Sequence, residues 1–485
     1  MNRLDRIISY FSPQRGAERL KHRATMSAVQ HYDAAGRSNR TRGYKGPQGD
    51  ANASVRGGRR LRLVARDMVR NNAIARRAVA SLVDNIVGDG IIPSIETGSD
   101  ANDRWMNDVL RQHLDTPQID SSGRMDLYGL QRLAVESMII GGETLIRHRP
   151  RRFPDAAGLT LPFQIELLEA EYFDETQLGL NSVGNRVMDG IEFDNMRRRV
   201  AYHLYTEHPE DSLAGYPTSV WIPARNVIHM FRVERPGQRR GASWLAPVIP
   251  LMNDAYDYAD AQLVRQKIAA MWVAFTRDLS PDAVADDDPA DVTLRPGMFE
   301  HLPAGREVTF STPPKVDGYS EHMKSVQRMI AAALSMTYEE LSGDLEGVNF
   351  SSARIGRIAM QRAVSASQWT VVMPTLCLGM EPWLRTAFSN YPDRRPPAEY
   401  KFKWTPPKFP MTDPAREIPA VVAQIEAGLT SRQRSIREMG YDPDVIYREI
   451  AEDRLALPQP ESPSTQANPP EPDGDGDEQI GEDNG

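Results

Sequence analysis

Apolar positions recur at helical spacing in the run 61–90, where Leu63, Val64, Met68, Ile74, Ala78, Leu82 and Ile86 mark one face. Arg62, Arg66, Arg70, Arg76 and Arg77 fill the others, and Gly88 and Gly90 stop the helix before an extended segment at Ile91-Ile92-Pro93. Two more helices are expected, over about 101–114 with Trp105 and Leu110 inward, and over 127–140 up to Gly141-Gly142. The period then changes to two. Runs 143–150, 163–170, 188–194, 199–207 and 226–234 predict strands between turn-rich links, which makes 61–240 an α+β region.

From Gly241 the helical period returns. A long helix is predicted over 241–278, with a seam of Met252, Tyr256, Ala259, Leu263, Gln266, Ala270 and Val273. A second covers 319–342, with Met323, Val326, Ile330, Leu334, Tyr338 and Leu341. Between them lies a segment rich in proline and aspartate, with a strand-like piece at 307–312. The eight residues Gly343, Asp344, Leu345, Glu346, Gly347, Val348, Asn349 and Phe350 form a loop before a third helix. Gly343 suits the left-handed end of the preceding helix. Gly347 gives the loop a flexible centre, and Ser351 or Ser352 suits the next cap. Pro374 lacks the N–H that would bond the Thr370 carbonyl, so a kink is expected there. Farther on, 401–407 predicts a strand, and 413–429, 431–440 and 442–457 predict helices with Asp413, Ser431 and Asp442 as caps.

Charge divides the chain. The first 80 residues carry 18 Lys/Arg against 5 Asp/Glu, whereas 461–485 carry 8 acids and no base. The net charge of −8 therefore conceals a basic arm (1–60), an acidic body and an acidic tail (458–485), an arrangement suited to polyelectrolyte partners or to simple solvation. Both ends carry too little apolar surface to form a core of their own. No apolar run approaches the roughly 20 residues that cross a bilayer, and the N-terminus lacks the apolar stretch of a secretory signal. The single cysteine, Cys377, excludes an intrachain disulfide and fits a small buried hydrophobe in a reducing compartment.

Signs of catalysis are scarce. The sequence contains no G-x-x-x-x-G-K-[ST], G-x-S-x-G, H-E-x-x-H or C-x-x-C. Asp286, Asp287 and Asp288 are consecutive loop carboxylates that do not converge without partners, and the nine histidines show no ligand spacing. His203 and His208, at a strand end and its turn, suit surface or packing roles. Lys401, Lys403, Trp404 and Lys408 suit either stacking on nucleic acid or a packed strand with exposed lysines. No catalytic residue, metal or cofactor is expected.

Five blocks in order carry a resemblance: VARDMVRNNAIARRAV, DNIVGDGIIP, ERPGQRRGASWLAPVI, EELSGDLEGVNFSSAR and DPAREIPAVVAQIEAGLTSRQRSIREMGYD. The blocks run from Val64 to Asp442, and the chain resembles, over about residues 25–457, the lambda-like portal proteins of tailed bacteriophages. The resemblance implies a non-enzymatic ring of about twelve subunits at one capsid vertex, through which double-stranded DNA passes during packaging and ejection. It implies a wing (61–240), stem helices (241–278 and 319–342), a clip (279–318), a tunnel loop (343–350), a long wing helix with the following strand (351–412) and a crown (413–457). Asp286, Asp287, Asp288, Arg295 and Arg306 fall in the clip, which is expected to meet the large terminase subunit and then the head–tail connector. Asp344 and Glu346 would place negative rings near the DNA, Asn349 a weak phosphate contact, and Arg354 and Arg357 either a DNA contact or charge neutralisation between neighbours. Capsid protein, scaffold protein and DNA remain open as partners of the arm. Another ring-forming head or scaffold protein, and a DNA-processing enzyme, are the alternatives; the second lacks the motifs such enzymes need.

Overall fold

The computed structural model describes residues 50–52, 58–152, 154–211, 217–270, 274–278, 306–310, 318–407, 413–439, 441 and 443–456. The expected helix over 61–90 is two helices, α1 (Gly58–Asn71) and α2 (Ala73–Ile86). Asn72 separates them in an extended conformation, and its side chain accepts from the N–H groups of Ile74 (2.9 Å) and Ala75 (3.1 Å). On α1 the expected face holds at Met68, which is buried. Leu63 and Val64 are exposed, while Arg62 is buried.

Strand β1 (Ile92–Glu96) pairs with a strand from the far end of the chain, β12 (Lys401–Thr405). Helices α3 (Asp100–Leu114) and α4 (Leu127–Gly141) follow as predicted. Gly142 ends α4 at φ 90°, and β2 (Glu143–Pro150) runs from it as the centre of a three-stranded antiparallel sheet. Its neighbours are β3 (Phe163–Glu169) and β9 (Val227–Phe231). Between those two lies an antiparallel meander of β4 (Gly179–Leu180), β5 (Arg186–Met188), β6 (Ile191–Phe193), β7 (Arg199–Tyr205) and β8 (Ser219–Pro223). The single strand expected over 188–194 is instead the β5–β6 hairpin. Asp189 and Gly190 turn it at φ 54° and 78°. A large core joins the helices and the three-stranded sheet, and a smaller one, around Phe173, Tyr202 and Leu204, lies under the meander.

The helix expected over 241–278 is shorter. Trp244, Leu245 and Val248 are buried before helix α5 (Ile249–Ala270) begins, and 274–278 forms β10, antiparallel to β11 (Arg306–Phe310). Met252 and Ala255 are buried, whereas Tyr256 and Leu263 of the expected seam are exposed. Helix α6 (Tyr319–Ala333) buries Val326 and Ile330 as predicted. The chain then turns through Ser335 (φ 57°) into a separate short helix, α7 (Tyr338–Ser342), capped by Thr337.

A 40-residue rod follows: α8 (Phe350–Ser367), a π-helical stretch (Gln368–Cys377) and α9 (Leu378–Ser389). Pro374 lies inside the π stretch, so the missing N–H is accommodated by a wider turn within a continuous rod. Gln368 fastens this stretch to α2, donating from Nε2 to the Ile86 carbonyl (2.9 Å). Beyond β12 come α10 (Pro414–Glu426), α11 (Arg432–Glu438) and α12 (Pro443–Ala456). Asp413 precedes α10 but makes no side-chain cap bond, while Ser431 caps α11 as predicted. Asp442 lies outside the described residues. Among the described residues no helix is long and apolar enough to cross a membrane.

A buried charge network links the layers. The Glu143 carboxylate accepts from Arg240 Nε (2.8 Å), His229 Nε2 (2.9 Å) and the Gly241 N–H (2.9 Å). Glu171 accepts from Arg62 Nε (2.9 Å) and from both Nη atoms of Arg66 (3.0 and 2.8 Å). Burial alone would raise the Glu143 pKa, but Arg240 and His229 hold it far below the carboxylate range. Three histidines are held the other way. Burial pushes His113, His148 and His229 down to about 4. Their folded pKa values lie below the unfolded value of about 6.5, so the unfolded chain binds more protons between about pH 6.5 and 4. Stability is full above that window and falls as the pH drops through it. Urea unfolding is expected to show roughly 2 kcal/mol less stability at pH 6 than at pH 8. A pH-independent midpoint would contradict this.

Candidate functional site

The loop 343–350 stands between two capped helices. Gly343 closes α7 at φ 71°, its N–H donating to the Glu339 carbonyl (2.8 Å). At the other end the cap of α8 is Asn349 rather than Ser351 or Ser352. Asn349 Oδ1 accepts from the Ser352 N–H (2.8 Å), and α8 begins at Phe350. The cap falls two or three residues earlier because Asn349 is the extended residue whose side chain reaches that N–H.

Inside the loop, Asp344 acts as a local anchor. Oδ1 accepts from the Glu346 N–H (3.0 Å) and Oδ2 from the Tyr338 hydroxyl (2.9 Å). Lys324 Nζ, from α6, lies 3.4 Å from Asp344 and 3.6 Å from Glu346. The Glu346 N–H, the Tyr338 hydroxyl and Lys324 hold the Asp344 carboxyl below its ordinary range. The loop thus presents two acids partly balanced by one base, with Glu346 pointing outward and Leu345 72% exposed. Gly347 adopts φ 73°.

The loop's base is tied to α2. Ser81 Oγ donates to Glu340 Oε1 (2.8 Å), and Arg77 Nε to the Glu340 carbonyl (3.0 Å). Arg354 is exposed and Arg357 half-buried on the first turns of α8. Sequence reasoning missed Lys324 and Tyr338. They precede Asp344 by 20 and 6 residues, and no periodicity connects them to the loop.

Other candidates resolve differently. Asp286, Asp287, Asp288 and Arg295 lie outside the described residues, and Arg306 opens β11 opposite Asp278. Trp404 is buried with Nε1 donating to Glu381 (3.3 Å), and Lys403 pairs with Glu96 (2.6 Å), so this is a packed strand rather than a stacking surface. Glu169, Glu171 and His208 converge closely enough for a metal. Arg66 already occupies the gap, 3.2 Å from Glu169 and 2.8 Å from Glu171, which does not fit a cation site. Cys377 is buried, and that burial pushes its thiol pKa up.

Residues 37–368 match the family model described as phage portal protein, lambda family. The chain belongs to that family. The matched stretch holds α1 through α8 and the loop, while the rest of the rod, β12 and α10–α12 lie beyond it. This portal-family chain is 27% identical over 440 residues to a probable portal protein of Halomonas phage phiHAP-1, covering 84% of the chain and 83% of the relative. It is 24% identical over 326 residues to portal protein B of Escherichia phage lambda, covering 55% and 58%. Among solved structures it is similar to a chain in the neck of a native GTA particle computed with C12 symmetry (14% identity, TM-score 0.46, covering 78% and 94%).

Proposed function

We propose that the chain assembles into a closed ring of about twelve copies at one vertex of a phage capsid. The ring is a passive conduit for double-stranded DNA in packaging and ejection. Residues 279–318 dock the terminase and then the head–tail connector, and capsid or scaffold protein holds the wing. The family match across 37–368, which includes the loop, carries this reading.

The physics of the loop supports it. Each neutralised phosphate adds affinity, so a wall for a moving polyanion works best when it binds weakly. With Lys324 set against Asp344 and Glu346, each loop retains about one negative charge. Repeated around a ring, that is a mild repulsive collar without base readout. Arg354, on the neighbouring turn, is assigned to an adjacent subunit rather than to DNA.

Electron microscopy of the purified chain tests the assembly. The expected particle is a closed ring with an axial hole wide enough for a duplex; a chain that stays monomeric at all concentrations rejects the proposal. Gly347→Pro tests the loop. Proline holds φ near −65°, against the observed 73°. Rings are expected to form normally, while packaged DNA per particle falls about tenfold or more. Normal packaging would show that the loop's shape does not matter.

A further inference from the structure

A cleft of about 850 Å³ opens between the meander and the segment 236–239, far along the sequence from the loop. Its lining is rich in arginine: Arg186, Arg197, Arg199 and Arg239. Arg239 is paired with Asp189 at 3.0 Å. Arg186, Arg197 and Arg199 have no carboxylate partner among the described residues. Two carboxylates line the cleft: Asp194 is taken by the Arg198 side chain (2.8 Å) and by the backbone N–H groups of Met196 and Arg198, and Asp50 accepts from the Asn52 N–H (3.1 Å) and Nδ2 (3.0 Å).

The arginines are ordered by the sheet. Arg186 is opposite Phe193, and Phe193 is opposite Arg199, so the three share one face of adjacent strands. Two strand spacings place Arg186 and Arg199 about 10 Å apart. Opposite them the wall is pinned. Asn52 Nδ2 donates to the Gly237 carbonyl (3.1 Å), and Asn52 Oδ1 accepts from the Arg239 N–H (2.7 Å).

We propose that this cleft is the docking site of the chain's own acidic segment, 461–485. That segment carries eight acids and no base. In its centre, Asp473, Asp475 and Asp477 alternate with glycine. In an extended chain, alternate residues point the same way about 7 Å apart, a spacing that brings successive carboxylates within reach of Arg186 and Arg199. The last described residue, Ala456, is followed by 29 residues, which span up to about 95 Å when extended. Exposed ion pairs are individually weak. A tether supplies an effective concentration on the order of 1 mM, so weak affinity suffices for occupancy.

Amide hydrogen exchange on the full chain tests this. The comparison is with a variant whose eight acids in 461–485 are changed to Asn or Gln. Peptides covering 186–199 and 236–240 are expected to exchange about threefold or more slowly in the unmodified chain. The difference should vanish near 0.5 M salt and in an R186E/R197E variant, both positions being exposed and outside the core. A labelled peptide of residues 457–485, added to the neutralised variant, should restore protection. Equal exchange in the two chains at low salt overturns the proposal, as does protection that survives R186E/R197E. A short DNA duplex that protects the cleft where the segment does not also overturns it, and would make the cleft a nucleic-acid site.

Discussion

Glu143→Ala is expected to cost roughly 3–5 kcal/mol of unfolding free energy, the range for breaking a buried ion pair from one side. The Arg240 guanidinium is almost wholly buried, stacked 3.9 Å from the Phe173 ring centroid, and its closest carboxylate is Glu143 at 2.7 Å. Removing that carboxylate leaves Glu175, which is partly exposed at 3.1 Å, and two backbone carbonyls. It also strips His229 and the Gly241 N–H of their acceptor. Urea titration of the variant checks the figure, and a loss below about 1 kcal/mol contradicts it. A Glu143→Met/Arg240→Met double variant should lose less than Glu143→Ala alone, because an apolar pair leaves no buried charge unmatched.

Gly241→Ala is expected to destabilise by about 3 kcal/mol or more, at the upper end of overpacking costs. A Cβ at Gly241 falls 2.0 Å from the Gly142 carbonyl oxygen and 2.7 Å from its carbon. In return, a Cβ at Gly142 falls 2.5 Å from the Ala242 carbonyl carbon. Both obstacles are backbone, which cannot rotate aside as a side chain does. Gly158→Ala is the control. Gly158 has φ 86° with open space around it, so it reports backbone strain alone, about 1 kcal/mol. Thermal unfolding of the two variants should separate them clearly. Equal shifts would show that the two backbone segments part easily.

These sites show what a sequence exposes and what it hides. Gly141-Gly142 is legible as a helix stop because a helix end is a local event, and Gly343 and Ser431 are legible for the same reason. The approach of Gly142 to Gly241 is not, since nothing within either segment reports a neighbour 99 residues away. The same holds for Glu143 with Arg240, and for Lys324 with the loop. Asn72 is a different kind of miss. An asparagine within an apolar helical period continues the pattern, yet its side chain competes for the backbone and ends the helix. Tyr256 and Leu263 of the seam predicted along α5 are exposed, and Val273 lies outside the described residues; periodicity states which residues share a face, not whether anything covers it.

The rod over 350–389 is held unevenly. Its first turns are exposed, with Ile355 70% accessible, whereas Val372, Met373 and Cys377 of the π stretch lie in the core. Met360 and Val364 of α8 already join that core, so only about 15 Å of helix, residues 350–359, stands out from its mounting, at 1.5 Å per residue. Such a member is a cantilever. A sideways load at its tip, where the loop 343–350 joins, produces the largest bending moment at the root. The root is the turn from Met360 to Val364, so bending falls ahead of the π stretch, which Gln368 fastens to α2.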